Sequence, residues 1–452
     1  MPEIIEQENI QRRLHQVNEA LDSGMFVYVR KLLQDMPAYD LALFLESSPS
    51  KSRPVLWQLI DAEHHGEVLE ELNEEVRKGI LQSMRPEKLA AVAEGMDVDD
   101  LAEVLRTLPD TVYRKVLNSM DSQDRSRVET ALSYDEDTAG GIMNTDTITL
   151  RPEVSVDVVL RYLRLKGQLP DATDSFYVVD RNNRFIGAVS LAAIVTANSE
   201  VIISTLINAE IEAVQASIDE QEVAQLFEKH DWFSAPVIDK EGHLLGRITI
   251  DDVIDIIRED AEHSMMSMAG LDDEADTFAP VFQSTKQRSL WLGVNLITAL
   301  LAVAVTSMFE GIFQQLAILA VLNSLVPSMG GVAGNQTLTL VIRGMALGHV
   351  GNSNARALLN KEVAIGFLNG IIWALLIATV VAVWKQDLML GAVIAFAMLM
   401  NMTAAGLAGV AIPLFLKRID IDPALAGSVI ITTVTDVVGI FAFLGTATLF
   451  LT

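Results

Sequence analysis

Apolar and polar positions along this chain follow three rhythms in succession. Over residues 5–135 apolar side chains recur at three- and four-residue spacing, as in LAAVAEGMDVDDLAEVLRTLPDTVYRKVLNSM (89–120). Turn signals such as Pro109 and Asp121 divide them into short runs. That period predicts helices alone, and their return about every dozen residues predicts a small helical superhelix. Near residue 143 the rhythm changes. TITLRPEVSVDVVLRYLRLKG (147–167) predicts a strand and then a helix, and SFYVVDRNNRFIGAVSLAAIV (175–195) predicts two strands about an Asn-Asn turn followed by a helix. The same order returns in IEAVQASIDEQEVAQLFEKHD (211–231) and SAPVIDKEGHLLGRITIDDVIDII (234–257). The result is a repeat of roughly 60 residues that carries first VVD-x-x-x-x-x-x-G and then VID-x-x-x-x-x-x-G. Beyond Arg288 the chain becomes mostly apolar, in the stretches 290–309, 314–342, 363–384, 389–415 and 424–451. Each is long enough for the ~20 residues that a membrane-spanning helix needs. The second is the weakest, because it holds Asn323, Pro327 and the glycine-rich run SMGGVAGNQ (328–336).

The charge is divided as sharply as the hydropathy. From Lys286 onward there are eight basic and six acidic side chains, a net of +2; residues 1–285 carry 25 basic and 54 acidic ones, a net of −29. An acidic soluble part is therefore joined to a nearly neutral apolar part. Such a charge excludes a nucleic-acid partner, which needs a positive footprint, and it suits cations. The chain has no cysteine, hence no disulfide and no thiolate metal site. MPEIIEQENIQRRL at the start is polar and lacks the apolar core of a signal peptide. The soluble part is expected in the cytoplasm, with the rest in the cell (inner) membrane as a multi-pass segment. With that orientation the short inner loops hold Lys286, Arg288, Arg343, Arg356, Lys361, Lys417 and Arg418, and the outer ones only Lys385, as basic residues prefer. Five crossings then leave the C-terminus outside.

Within 424–451 lies one carboxylate, Asp436, in the stretch GSVIITTVTDVVGIFAFLG. Insertion scales charge ~2.5–3.5 kcal/mol for such a group at a helix centre, so it usually faces a polar interior and has a function. None of the five apolar stretches contains a Lys or Arg to neutralise it. A mobile cation is the natural partner; an inter-helix hydrogen bond is the structural alternative. Ser428, Thr432, Thr433 and Thr435 share its stretch, Asn335, Gln336, Thr337 and Thr339 lie in the second, and Asn401 and Thr403 in the fourth. Hydroxyl and amide oxygens with a single carboxylate suit a hard cation held partly through water, as Mg²⁺ prefers. Two copies paired about an axis would bring two Asp436 together, which favours a symmetric homodimer. The glycines at 330, 331 and 334 either open the backbone or let helices pack closely.

The soluble part has its own acid clusters. Asp252, Asp255 and Glu259 share a helical face, with Asp251, Asp260 and Glu262 beside them, and Asp97, Asp99, Asp100 and Glu103 form an acidic helix start. Such groups bind cations or remain solvated, and acids also favour helix N-termini for their own sake. The repeat over 143–260 looks like a tandem pair of CBS domains, which often bind adenosine nucleotides. ATP binding stays open. The second repeat reads Thr249-Ile250-Asp251-Asp252, whereas the first reads Ser190-Leu191-Ala192-Ala193 and lacks the carboxylate that would hold a ribose.

Four parts thus occur in order: an acidic helical domain (1–135), a CBS pair (136–260), a connector (261–285) and a membrane domain of five transmembrane helices (286–452). Together with YDEDTAGGIM (134–143), GGVAGNQTLTLVIR (330–343) and DPALAGSVIITTVTDVVG (422–439), that order resembles the MgtE family of magnesium channels over nearly the whole chain. The resemblance implies a homodimer with a pore along the subunit interface and Mg²⁺ entry down its electrochemical gradient. It also implies closure by cytoplasmic Mg²⁺, which holds a connecting plug helix (261–285) against the pore. Carried over by motif, Asp436 is the pore carboxylate, Asn335 the polar residue of the GNQ motif, and Thr432 lies at the filter. Asp99, Glu103, Asp231, Asp252, Asp255 and Asp260 match sensor positions, and Glu67 matches through its short EVL context. The chain departs from the family in two places. Ser428-Val429 stands where many members have an Asn- or Gly-Pro step, and His263 and Ser264 stand where acids are expected, which implies fewer bound ions in the connector. Rival readings are a membrane-anchored nucleotide or ion sensor and a carrier for Co²⁺, Mn²⁺ or Ca²⁺. An enzyme is not expected: no phosphate-binding loop appears, and the apolar stretches hold no nucleophile–base arrangement.

Overall fold

A computed structural model describes residues 13–451 apart from 14, 18, 22, 35, 94, 95, 97, 109, 121, 171, 209, 210, 272–275, 352 and 420. The chain divides into two compact units. One is Met1–Asp260 with Glu274–Pro280, and the other is Ala261–Asp273 with Val281–Thr452.

In the first unit, the three-and-four rhythm folds into short helices: α1 (Phe26–Gln34), α2 (Ala38–Glu46), α3 (Arg53–Leu59), α4 (His65–Glu70), α5 (Glu74–Ser83), α6 (Pro86–Ala93), α7 (Val98–Arg106), α8 (Asp110–Ser119) and α9 (Ser122–Leu132). Each is too short to be stable alone. What holds them is a common apolar core, with Leu33, Phe44, Leu56, Leu69 and Leu105 all buried. Local signals set the ends: Asn73 caps α5 by accepting from the Val76 N–H at 3.0 Å.

The repeat builds two like modules. The first comprises β1 (Thr149–Leu150), α10 (Val156–Lys166), β2 (Ser175–Val179), β3 (Phe185–Ser190) and α11 (Leu191–Thr196). The second comprises β4 (Val214–Gln215), α12 (Glu220–His230), β5 (Ser234–Ile238), β6 (Leu244–Thr249) and α13 (Ile250–Met268). In each sheet a short strand runs parallel to the middle strand, which pairs antiparallel with the third, in the order β1-β2-β3 and β4-β5-β6. The repeated aspartates of VVD and VID prove to be turn builders. Asp180 Oδ1 accepts from the N–H groups of Asn182 and Arg184, both at 2.8 Å. Asp239 Oδ1 accepts likewise from Glu241 at 2.9 Å and His243 at 2.8 Å. The two turns also bond to each other, Phe185 N–H to Gly242 O and Leu244 N–H to Asn183 O, both at 3.0 Å.

Helix α13 begins in the second module and continues to Met268. The stretch 261–285 is therefore not one connecting helix. Its first helical part ends at Met268, its second begins at Val281, and between them stands Gly270, whose φ of +68° suits a residue without Cβ and whose Cα faces Trp291 too closely to admit a side chain. The second unit then runs through α14 (Val281–Ser307), α15 (Glu310–Gln315), α16 (Ile318–Leu322), α17 (Leu325–Ala346), α18 (Ala355–Lys385), α19 (Leu388–Arg418) and α20 (Pro423–Phe450). Among the described residues, five stretches are long and apolar enough to cross a membrane: Val281–Ser307, Ile318–Ala346, Ala355–Lys385, Leu388–Arg418 and Pro423–Phe450. All five spans expected from sequence are present, but the second is broken at 323–324. Pro327 sits in the first turn of α17, where its missing N–H costs nothing. Two spans, Val281–Ser307 and Ala355–Lys385, also begin well before the apolar stretches at 290 and 363, because their first turns include polar and charged residues.

The hairpin of α18 and α19 packs through reciprocal notches. A Cβ on Gly366 would lie 2.5 Å from the Met402 carbonyl oxygen, and one on Gly406 2.5 Å from that of Glu362. Such small-residue contacts let backbones approach where lipid gives no hydrophobic drive between helices. Gly406→Val is expected to force the hairpin apart at a cost of about 1–3 kcal/mol, read as a lower melting temperature in detergent. Gly445→Ala, with nothing within 4 Å of the added carbon, should leave that temperature unchanged.

Candidate functional site

The candidate pore residues lie on two helices in contact. On α20, Thr432 and Asp436 are one turn apart and so share a face; Thr432 is exposed and Asp436 half-buried. The hydroxyls around Asp436 turn their protons inward. Thr432 donates to Ser428 O at 2.9 Å, Thr433 to Val429 O at 2.8 Å, and the buried Thr435 to Ile431 O at 3.0 Å. Their oxygens keep only acceptor capacity, which fits a cation or its water shell. Among the described residues Asp436 has no hydrogen bond and no ion pair.

Helix α17 carries Asn335, whose Oδ1 is buried without a hydrogen-bond partner. The glycines beside it remain helical and serve close packing. A Cβ on Gly334 would lie 2.5 Å from Ile431 Cγ2, and one on Gly331 3.8 Å from Thr435 Oγ1. Small residues thus bring the Asn335 turn of α17 against the turn of α20 that precedes Asp436. Asn401, one of the polar oxygens of the sequence reading, lies elsewhere. It is fully buried, donates from Nδ2 to Val326 O at 2.7 Å, and fills the space left by Gly330 and Gly439. It holds the bundle and does not line the shared face.

Sequence reasoning passed over Glu362. It is 5% exposed in α18, with Thr337 Oγ1 at 3.4 Å and Lys361 Nζ at 3.5 Å. An apolar stretch begun at 363 left it just outside; Asn354, the N-cap of a continuous helical pattern, was the available signal.

In the first unit the fold gathers acids from distant segments. Glu103 on α7 pairs with Arg77 on α5 and lies close enough to Asp255 and Glu259 on α13 to raise the pKa of both, on top of the larger effect of burial. Glu71 is raised by burial and then by Asp255. Asp252 accepts from the Thr249 N–H at 3.1 Å and the Thr249 hydroxyl at 2.9 Å. Burial first, then Asp251 and Asp255, nevertheless push its carboxyl up to about 6. Asp260 accepts from Gln221 Nε2 at 2.9 Å. Next to Gln221, Glu220 is pushed up to about 7 by burial and by Asp137, Glu259, Asp219 and Glu136. Asp99 on α7 accepts from Asn144 Nδ2 at 3.3 Å.

Two expected residues have other surroundings. Glu67 pairs with His64 at 3.5 Å, and Asp231 ends α12 in the left-handed conformation, its N–H bonded to Phe227 O. Asp97 lies outside the described residues. Glu71, Glu136 and Glu220 were missed, since each stands on a different helix or loop from the sequence-local clusters. Raised carboxylate pKa values of this kind mark a face whose charges repel, and a divalent cation would relieve that repulsion and release protons.

Comparison with known proteins agrees with this division of the chain. The family model of the MgtE divalent cation transporters matches residues 323–446, that of the MgtE intracellular N domain 36–137, and that of the CBS domain 139–200 and 203–259. The magnesium transporter MgtE of Enterococcus faecalis is 29% identical over 436 residues, 96% of each chain. That of Thermus thermophilus is 29% identical over 442 residues, 96% of this chain and 98% of its own. The crystal structure of the cytosolic domain of the Mg²⁺ channel MgtE in complex with ATP is 30% identical with a TM-score of 0.50, covering 54% of this chain and 99% of that one.

The raised carboxylates give the first unit a pH-dependent stability. Glu220 and Asp252 hold protons more tightly when folded than at the ordinary ~4.3 and ~3.9. Their contribution is therefore full below about pH 4 and is lost as pH rises through about 6 for Asp252 and about 7 for Glu220. Glu220→Gln should stabilise the unit by ~1–2 kcal/mol at pH 8, a figure reduced for partial exposure, and by nearly nothing at pH 4. Thermal unfolding at the two pH values checks this; an equal gain at both would mean the repulsion is absent.

Proposed function

Because the chain belongs to the MgtE family of divalent cation transporters, we infer that it carries Mg²⁺ across the membrane through its α-helical membrane domain, with Asp436 as the carboxylate that meets the ion. The observation that carries this reading is Asp436 itself: half-buried in a spanning helix, with no basic partner among the described residues. A carboxylate so placed keeps its cost unless a cation repeatedly visits it. Thr432 on the same face and Asn335 on the neighbouring helix offer neutral oxygens. Mg²⁺ gives up its waters reluctantly, so one carboxylate and these oxygens act on the hydrated ion, Asp436 by charge and the others by accepting from its water protons.

A homodimer completes the site, because a second chain adds a second Asp436 and matches the charge of a divalent ion. The basic residues of the short inner loops support an N-terminal unit in the cytoplasm and a C-terminus outside. Influx is then driven by the membrane potential, worth ~2.3 kcal/mol per charge per 100 mV and about twice that for Mg²⁺; no hydrolysis step is required.

Closure is assigned to the acidic face. At low cytoplasmic Mg²⁺ the carboxylates of Glu103, Asp252, Asp255 and their neighbours repel one another. Bound Mg²⁺ neutralises them, draws the helical domain onto α13, and the connector closes the pore. Asp99, Asp260, Asp231 and Glu67 are outer members of this regulatory set. In the first CBS module Ala193 stands where the second has Asp252, so only one module offers a carboxylate to a ribose. ATP is given no part in the transport step.

Mg²⁺ influx into liposomes holding the purified chain tests the pore assignment. Asp436→Ala should reduce influx by at least about tenfold, the effect of losing one charge-assisted contact of ~1.4 kcal/mol or more, while the protein stays folded and dimeric. Equal influx in variant and parent would make Asp436 a packing residue. Competition by Co²⁺, Mn²⁺ and Ca²⁺ in the same assay ranks the ions.

A further inference from the structure

Asp276 follows α13 and precedes α14, yet its side chain is 6% exposed and lies within the first unit. Arg53, itself 7% exposed, grips it with Nη1 at 2.5 Å and Nη2 at 2.7 Å, a two-pronged contact. The grip is rigidly backed. Arg53 Nε donates to Leu45 O at 2.9 Å and Nη2 also to Glu46 O at 3.0 Å, so the end of α2 fixes the guanidinium. Asp276 donates its own N–H to Glu75 Oε2 on α5 at 2.6 Å. Its Oδ1 accepts from the Phe278 N–H at 2.8 Å, which folds 276–279 into a turn closed by Ala279 N–H on Asp276 O at 3.1 Å.

A covalent chain of this length needs no ordered anchor to reach α14. Nor does the fold need an ion pair here for stability, since buried pairs are often matched by apolar replacements. What a buried pair does supply is specificity of docking: this segment, in this register, on this domain. The anchor also borders the acidic face. Glu46 feels both Arg53 and Arg258, and Arg258 is paired with Asp255 at 3.0 Å. Asp276 stands five residues before Val281, where α14 begins, a tether of at most about 17 Å when fully extended.

We propose that the Arg53–Asp276 pair is a strut that ties the N-terminal helical domain to the first membrane helix. The state of the acidic face then reaches the membrane domain by a second route, an ion pair followed by a short tether, besides helix α13. This rests on the gating reading above, and deepens it by naming how the helical domain pulls. It implies that the strut affects closure and leaves the open pore untouched.

The test is Mg²⁺ flux through the full-length chain in liposomes, with Mg²⁺ varied on the side of the N-terminal unit. Three changes are compared: Arg53→Met, Asp276→Asn, and insertion of Gly-Ser-Gly-Ser between Ala279 and Pro280, which keeps the pair but slackens the tether. Each should raise the half-inhibitory Mg²⁺ by about fivefold or more, the range of an ordinary coupling between sites, with flux in the absence of cytoplasmic Mg²⁺ unchanged. If the parent is inhibited and all three variants are inhibited at the same Mg²⁺, the strut is refuted while gating stands. A shift in the two point variants that the insertion does not reproduce would reduce the pair to packing inside the helical domain. A parent that cytoplasmic Mg²⁺ never inhibits would remove the gating reading, and the strut with it.

Discussion

A carboxylate in a helix long and apolar enough to cross a membrane, with no basic partner among the described residues, constrains the second unit. Lipid does not solvate such a group, and in the proposed function the face of Asp436 is open to something polar and mobile. The neighbouring architecture is consistent with that. Glycines at 331 and 334 bring α17 flush against α20, and the threonines of α20 return their protons to the helix backbone. Asn401 ties the bundle at the point where Gly330 and Gly439 make room for it. The threonine hydroxyls of α20 are thus bonded to its own backbone, whereas Asn335 Oδ1 and Asn401 Oδ1 are buried without a hydrogen-bond partner.

The acidic face of the first unit obeys the opposite economy. There the chain brings like charges together from α7, α13 and the loop at 136–137, and the arginines Arg77, Arg106 and Arg258 only partly offset them. An assembly that repels itself is a poor structural choice and a good switch, because its geometry depends on whether cations are present. In the proposed mechanism the same element serves both ends: α13 carries the acids at its start and continues as the connector.

Several elements came out differently from their sequence patterns, each for a local reason. The glycine run of the second span stays helical, since its missing side chains are used by Ile431, Thr435 and Asn401 rather than by an opened backbone. The break comes earlier, at 323–324, just before the proline. The connector is a helix only as far as Met268, because Gly270 turns left-handed against Trp291. The aspartates of the repeated VVD and VID segments, conspicuous by their spacing, are used up in capping hairpin turns.

Period, hydropathy and charge are local properties, and they were sufficient for the short N-terminal helices, the five spans, the doubled α/β module and the isolation of Asp436 in an apolar stretch. Thr432 could be put on its face by counting one helical turn. Contacts between segments are not local. The approach of Glu103 to Asp255, the enlistment of Glu71, Glu136 and Glu220, the burial of Glu362 and the grip of Arg53 on Asp276 join residues from separate elements of the chain. No periodicity records such pairings, because they depend on how completed helices pack, and packing is decided by the shapes of whole surfaces. Identity of residue and spacing therefore told which groups were chemically costly; only the tertiary structure decided which of those costs are met inside the protein and which, as at Asp436, meet no partner among the described residues.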